Sequence, residues 1–140
     1  ATTGNFVTLA ASNLSFTNTT ISGDLNVSGS GYFTSDVVSS YSDERLKDIS
    51  GPIDNALDKV SAITGFYYTP NKTALNMGVE QNQLSRVGVS AQEIRKVLPE
   101  VVATREDGYK AVKYEKLAGL IIQAISELDD KVEEIRNKLQ

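Results

Sequence analysis

The sequence contains no cysteine, no histidine and no tryptophan, and only three prolines in 140 residues. Without cysteine there is no disulfide, no thiol nucleophile and no thiolate zinc site, a composition that fits folding in a reducing cytosol. Without histidine the usual imidazole base and metal ligand are absent too. Positive charge is also short: 14 basic residues against 18 acidic ones give a formal charge of −4. That balance argues against a nucleic-acid partner, which needs a basic face. No apolar run approaches the ~20 residues of a membrane span, and no charged-then-apolar leader is seen. A soluble chain without a membrane span is expected.

Charge is scarce in the first 41 residues only. Before residue 42 the only charged side chains are Asp24 and Asp36, and all 14 basic residues and the other 16 acids follow. Of the first 41 residues, 23 are Gly, Ser, Thr or Asn, too little apolar surface to offset the ordering entropy of an isolated chain. Short alternations nevertheless recur at Leu14-Ser15-Phe16, Leu25-Asn26-Val27 and Tyr32-Phe33-Thr34, separated by turn signals at Ser22-Gly23-Asp24 and Ser28-Gly29-Ser30-Gly31. Strands this poor in apolar side chains share a core by wrapping around copies of themselves, so residues 1–41 read as the end of a threefold, β-rich fibre stem. A disordered Ser/Thr-rich linker, or pairing within one chain, are the alternatives.

At the boundary stands Tyr41-Ser42-Asp43-Glu44-Arg45-Leu46-Lys47. A serine hydroxyl becomes a nucleophile when a base takes its proton, and in a chain without histidine the natural base is a lysine. Ser42 and Lys47 lie five residues apart. A free lysine is neutral in only about one molecule in 2,500 at pH 7, so a lysine base must be desolvated or set beside other cations. Burial on assembly would supply this. The plainer reading of the same residues is a capping turn, with Ser42 or Asp43 accepting backbone N–H bonds at the start of a short helix and Arg45 and Lys47 solvated.

From residue 48 the pattern is mixed. Gly51-Pro52 followed by Ile53, Leu57, Val60 and Ile63 predicts a short amphipathic helix ending near Thr64-Gly65. Phe66–Thr69 predicts a strand, residues 71–85 a loop or weak hairpin, Arg86–Ser90 a strand, and Ala91 to about Leu98 a helix limited by Pro99. Val101–Ala103 and Tyr109–Val112 around Asp107-Gly108 predict a β-hairpin. Gly88, between strand and helix, is a place where phosphate could meet helix amides, but no Gly-rich loop surrounds it. Glu106 and Asp107 lack further acids at ligand spacing, so neither metal nor cofactor is expected.

The last 27 residues, 114–140, predict a long helix with heptads: Ala118, Ile125, Val132 and Leu139 at a, Tyr114, Ile121, Leu128 and Ile135 at d. Isoleucine at both positions leans toward three strands. Leu117, Leu120 and Ile122 widen the stripe in the first half, as expected if that half also packs on the body; beyond Glu127 it narrows to a coiled-coil seam. A single amphipathic helix docked on its own domain is the alternative.

Several runs together carry a resemblance: Ser42–Lys47, Pro52–Val60, Val87–Ile94, Leu98–Val102 and Asp107–Lys110. In this order and spacing they resemble the endosialidase-type C-terminal intramolecular chaperone, the self-cleaving trimerisation domain of phage tailspikes and tail fibres. The resemblance implies an α+β homotrimer: β-rich stem 1–41, a mixed α/β body within a chaperone and autoprotease domain 42–140, and a trimeric coiled coil formed by 114–140. It implies a single-turnover serine peptidase acting on its own chain, with Ser42 and Lys47 as the dyad, the cut between Tyr41 and Ser42, and Asp43 and Arg45 in support. Two routes give the same products, an N-to-O shift at Ser42 followed by ester hydrolysis, or attack across a subunit boundary. The implied partners are two further copies and the upstream fibre or spike domains of the same chain. Assembly would take place in the infected bacterial cytoplasm, with the fibre portion in the virion tail and the chaperone portion released or loosely retained. A permanent, uncut fibre tip and a nucleotide-responsive assembly module are the rival readings.

Overall fold

The computed structural model describes residues 12, 13, 15–27, 29–38, 41–79 and 84–140. They divide into two compact units, Ala1–Lys47 and Asp48–Gln140. Leu14 and Ser28, named above in an alternation and a turn signal, lie outside the described residues.

In the first unit the described residues up to 38 form bends and no strand, and their large side chains, Phe16, Leu25, Tyr32 and Phe33 among them, are exposed. The physical reason is the one that composition gives. Each alternating stretch offers one or two apolar side chains, and a single copy has no facing layer in which to bury them.

The second unit begins with helix α1 (Ala56–Ser61), then strand β1 (Gly65–Tyr68), helix α2 (Lys72–Asn76), strand β2 (Arg86–Val89) and helix α3 (Ala91–Val97). A 3₁₀ turn at Pro99–Val101 leads into strands β3 (Val102–Thr104) and β4 (Lys110–Val112), and a second at Tyr114–Lys116 into helix α4 (Leu117–Lys138). β1 and β2 pair antiparallel, Tyr67 opposite Val87; β3 and β4 pair antiparallel, Ala103 opposite Ala111. The fold is α+β, with two small sheets and a long C-terminal helix, as the sequence leads one to expect. No helix among the described residues is long and apolar enough to cross a membrane.

The central packing is α1 against the first half of α4. Ala56, Leu120 and Ala124 are buried between them, with Ile53, Leu57, Val60, Ile63 and Leu98 packed around. Ile94 of α3 and Val101 complete the buried set among the described residues. The asymmetry of α4 follows from this: Leu120 and Ala124 face the body, while Ile121, Ile125, Leu128, Val132, Ile135 and Leu139, all heptad positions, remain exposed.

Two local expectations need correction. α1 starts at Ala56 rather than directly after Pro52, because Asn55 takes a left-handed conformation (φ 49°) that interrupts the helix. The segment after Pro70 is not a plain loop or weak hairpin: Asn71 accepts the Ala74 amide at 3.0 Å and caps α2. Gly78 (φ 86°) then ends that helix in the left-handed region. Gly88 lies within β2. A Cβ there would stand 3.1 Å from Tyr68 Cε1 and 3.5 Å from the Tyr114 hydroxyl, so aromatic side chains pack close against this glycine. The amide of Glu93 at the start of α3 is taken by the Ser90 hydroxyl at 3.3 Å.

Candidate functional site

Tyr41–Lys47 folds as a self-contained turn around a single 3₁₀ turn, Glu44–Leu46. Asp43 is its cap. The Asp43 carboxylate accepts the Arg45 amide at 2.9 Å, and the Leu46 and Lys47 amides reach the Asp43 and Glu44 carbonyls at 3.2 and 3.0 Å. A short acidic side chain here satisfies an amide that the turn itself leaves unpaired. Arg45 folds back on the same carboxylate as a fork, Nε to Oδ1 at 3.0 Å and Nη2 to Oδ2 at 2.6 Å. The guanidinium and then the amide of Arg45 hold the Asp43 carboxyl below the usual carboxylate range, and Lys47 adds a weaker pull in the same direction.

Two further hydrogen bonds close the turn across the boundary residues. Lys47 Nζ donates to the backbone carbonyl of Ser42 at 2.8 Å. The Tyr41 hydroxyl donates to the carbonyl of Leu46 at 2.9 Å. The five positions singled out in the sequence, Tyr41, Ser42, Asp43, Arg45 and Lys47, thus stand within one turn, and all five are exposed in the single chain. The capping role expected on the plainer reading is filled by Asp43, and its pairing with Arg45 explains both side chains structurally. What residue spacing did not reveal is the Tyr41 phenol contact. Its only signal is a tyrosine directly before the serine.

A second contact was also missed. Glu127 of α4 accepts the amides of Ala56 and Leu57, both at 2.9 Å, and so caps α1 from about 70 residues away in sequence. These two amides hold the Glu127 carboxyl below its usual range. The cap is needed because Asn55 makes no side-chain cap of its own. Among the described residues no group of three or more His, Cys, Asp or Glu side chains is placed to hold a metal ion.

Against known proteins, residues 42–103 match the model of a peptidase family described as chaperone of endosialidase. The long tail fiber protein Gp37 of Enterobacteria phage K3 is 35% identical over 102 residues, covering 70% of this chain and 8% of that protein. The protein of the same name in Enterobacteria phage T2 is 35% identical over 102 residues, or 70% of this chain and 7% of its own length. That of Salmonella phage S16 is 31% identical over 124 residues, covering 86% of this chain and 16% of the relative. The chain therefore spans less than a fifth of the length of each of these relatives.

Proposed function

The chain belongs to the chaperone of endosialidase family, and from that premise we propose that it assembles a phage tail fibre as an intramolecular chaperone and then cuts itself free. Three copies associate through the exposed heptad stripe of α4 and align the β-rich stems upstream of Tyr41. The separation of stem from chaperone leaves the fibre held in its trimer kinetically, because the cut product lacks the segment through which it assembled. The fibre portion then belongs to the virion tail.

The observation that carries the reading is a coincidence of position. The family match begins at residue 42, the serine whose carbonyl Lys47 Nζ reaches at 2.8 Å. In the proposed reaction Ser42 Oγ attacks the carbonyl carbon of Tyr41 and its proton passes to the Lys47 amine. The C–N bond between Tyr41 and Ser42 breaks, and that proton leaves on the freed α-amine. Water then hydrolyses the ester joining Tyr41 to Ser42 Oγ, giving a Tyr41 carboxylate and a chain that begins at Ser42. Attack across a subunit boundary consumes and releases the same atoms. A lysine base operates near neutral pH when burial disfavours its charged form; because the turn is exposed in the single chain, trimerisation is assigned the task of burying it. Cleavage therefore reports completed assembly.

The test follows wild type, Ser42→Ala and Lys47→Ala by denaturing intact-mass measurement, with light scattering for oligomeric state. The expected result is a wild-type fragment that begins at Ser42 and two variants that remain whole as trimers. Wild type that forms trimers and stays whole would instead make this chain a permanent fibre tip.

A further inference from the structure

The residue on the acyl side of the proposed cut is itself anchored in the turn. Tyr41 is 68% exposed, so no core fixes its ring, and its hydroxyl donates instead to the Leu46 carbonyl at 2.9 Å. On the other side of the bond, Ser42 is tied by its carbonyl to Lys47 Nζ at 2.8 Å. The 41–42 peptide is thus bracketed by two hydrogen bonds that reach back to adjacent residues, Leu46 and Lys47. The 3₁₀ turn beneath them stands on its own amide bonds and the Asp43–Arg45 fork, and does not need the phenol.

We infer that Tyr41 is a positioning residue for self-cleavage at its own carbonyl, its phenol selecting tyrosine at that position by fixing the direction in which the carbonyl faces the incoming oxygen. The inference rests on the self-cleavage proposed above. Direction of approach depends on backbone rotation at Tyr41 and Ser42, and holding both residues converts a sampled geometry into a maintained one. Phenylalanine keeps the ring and loses the anchor. In the single chain Leu46 is exposed and the carbonyl left behind is open to water, so the chain's own fold is not penalised as it would be by an unsatisfied buried group.

The experiment uses the full chain made by pulse-labelled cell-free synthesis, quenched in denaturant at intervals and resolved by intact mass, with native electrophoresis giving the trimer fraction at each time. Wild type, Tyr41→Phe and Tyr41→Leu are compared, with Ser42→Ala as the uncut reference. Both Tyr41 variants are expected to form trimers as wild type does and to cleave about fivefold more slowly, the rate equivalent of one ordinary hydrogen bond. The midpoint of the rate–pH profile is expected to be unmoved, because the phenol orients and does not carry the transferred proton. A Tyr41→Phe rate equal to wild type overturns the inference alone. So does a shifted pH midpoint, which would place the phenol in proton transfer, or a loss confined to Tyr41→Leu, which would assign the effect to the ring. Wild-type trimers that never cleave remove the reaction itself and the inference with it.

Discussion

Truncating Ile125 and truncating Leu120 to alanine should have opposite signatures, although both lie on the same helix and lose similar side-chain bulk. Full burial of an isoleucine is worth about 1.5–3 kcal/mol, and Ile125 is 61% exposed in the single chain. About 1–2 kcal/mol per chain is therefore still to be gained against a partner. Over three chains of the proposed trimer, less what alanine retains, Ile125→Ala should cost about 3–5 kcal/mol, roughly a 10²- to 10⁴-fold loss in association constant. Leu120, only 1% exposed, has already spent its burial inside the chain against α1. Its truncation should cost about 2–5 kcal/mol of the body's own stability, with Tm falling roughly 4–8 °C for each kcal/mol. The assay is sedimentation equilibrium over a concentration series, with thermal melting by circular dichroism on dilute samples, all in a Ser42→Ala background so that chain length is constant. The reasoning fails if Ile125→Ala associates like its parent, or if it lowers the melting temperature of the dilute protein as much as Leu120→Ala does.

Other perturbations address single contacts. Glu127→Ala should expose the Ala56 and Leu57 amides to exchange while the rest of α4 stays protected, read by hydrogen exchange; unchanged protection at those two amides would contradict the cap. In the unaltered chain the Glu127 carboxyl is held below its usual range, so its contribution is full above the ordinary glutamate pKa and lost as pH falls through the lowered one. Protection at the same two amides, corrected for intrinsic rates, should fall in that acid window and not above it. Gly108 sits at φ 83° in the β3–β4 turn, where a side chain costs about 1–2 kcal/mol. Gly108→Ala should lower Tm accordingly and Gly108→Asn by less, since asparagine tolerates this region better.

Much of the body was legible because its signals are local. The Asp107-Gly108 turn gives its hairpin, with the Gly108 amide reaching the Arg105 carbonyl at 2.9 Å. Pro99 limits α3 as expected, and the Ser90 hydroxyl makes its N-cap. The long helix was legible from its heptads. What was missed lies where a local signal is overruled. The expected helix after Pro52 is shortened because the chain bends at Asn55 to bring Ile53 into the α1–α4 packing. Glu93, which could have completed a capping box on Ser90, instead accepts the Thr64 amide at 2.9 Å.

The proposed site divides in the same way. Composition narrows the candidates for the proposed chemistry: with no cysteine and no histidine in the chain, a lysine is the natural base for a serine, and it is the family resemblance that singles out Ser42 and Lys47. The heptad stripe of α4 was equally legible, because heptad spacing is a one-dimensional property. Which part of that stripe the body takes is set by packing, which buries Leu120 and Ala124 and leaves Ile121, Ile125 and Leu128 exposed. The tertiary structure alone tied Glu127 to the start of α1 and the Tyr41 phenol to Leu46. Those contacts depend on where the backbone bends, and the bends are fixed by the packing of segments distant in sequence, which no local pattern encodes.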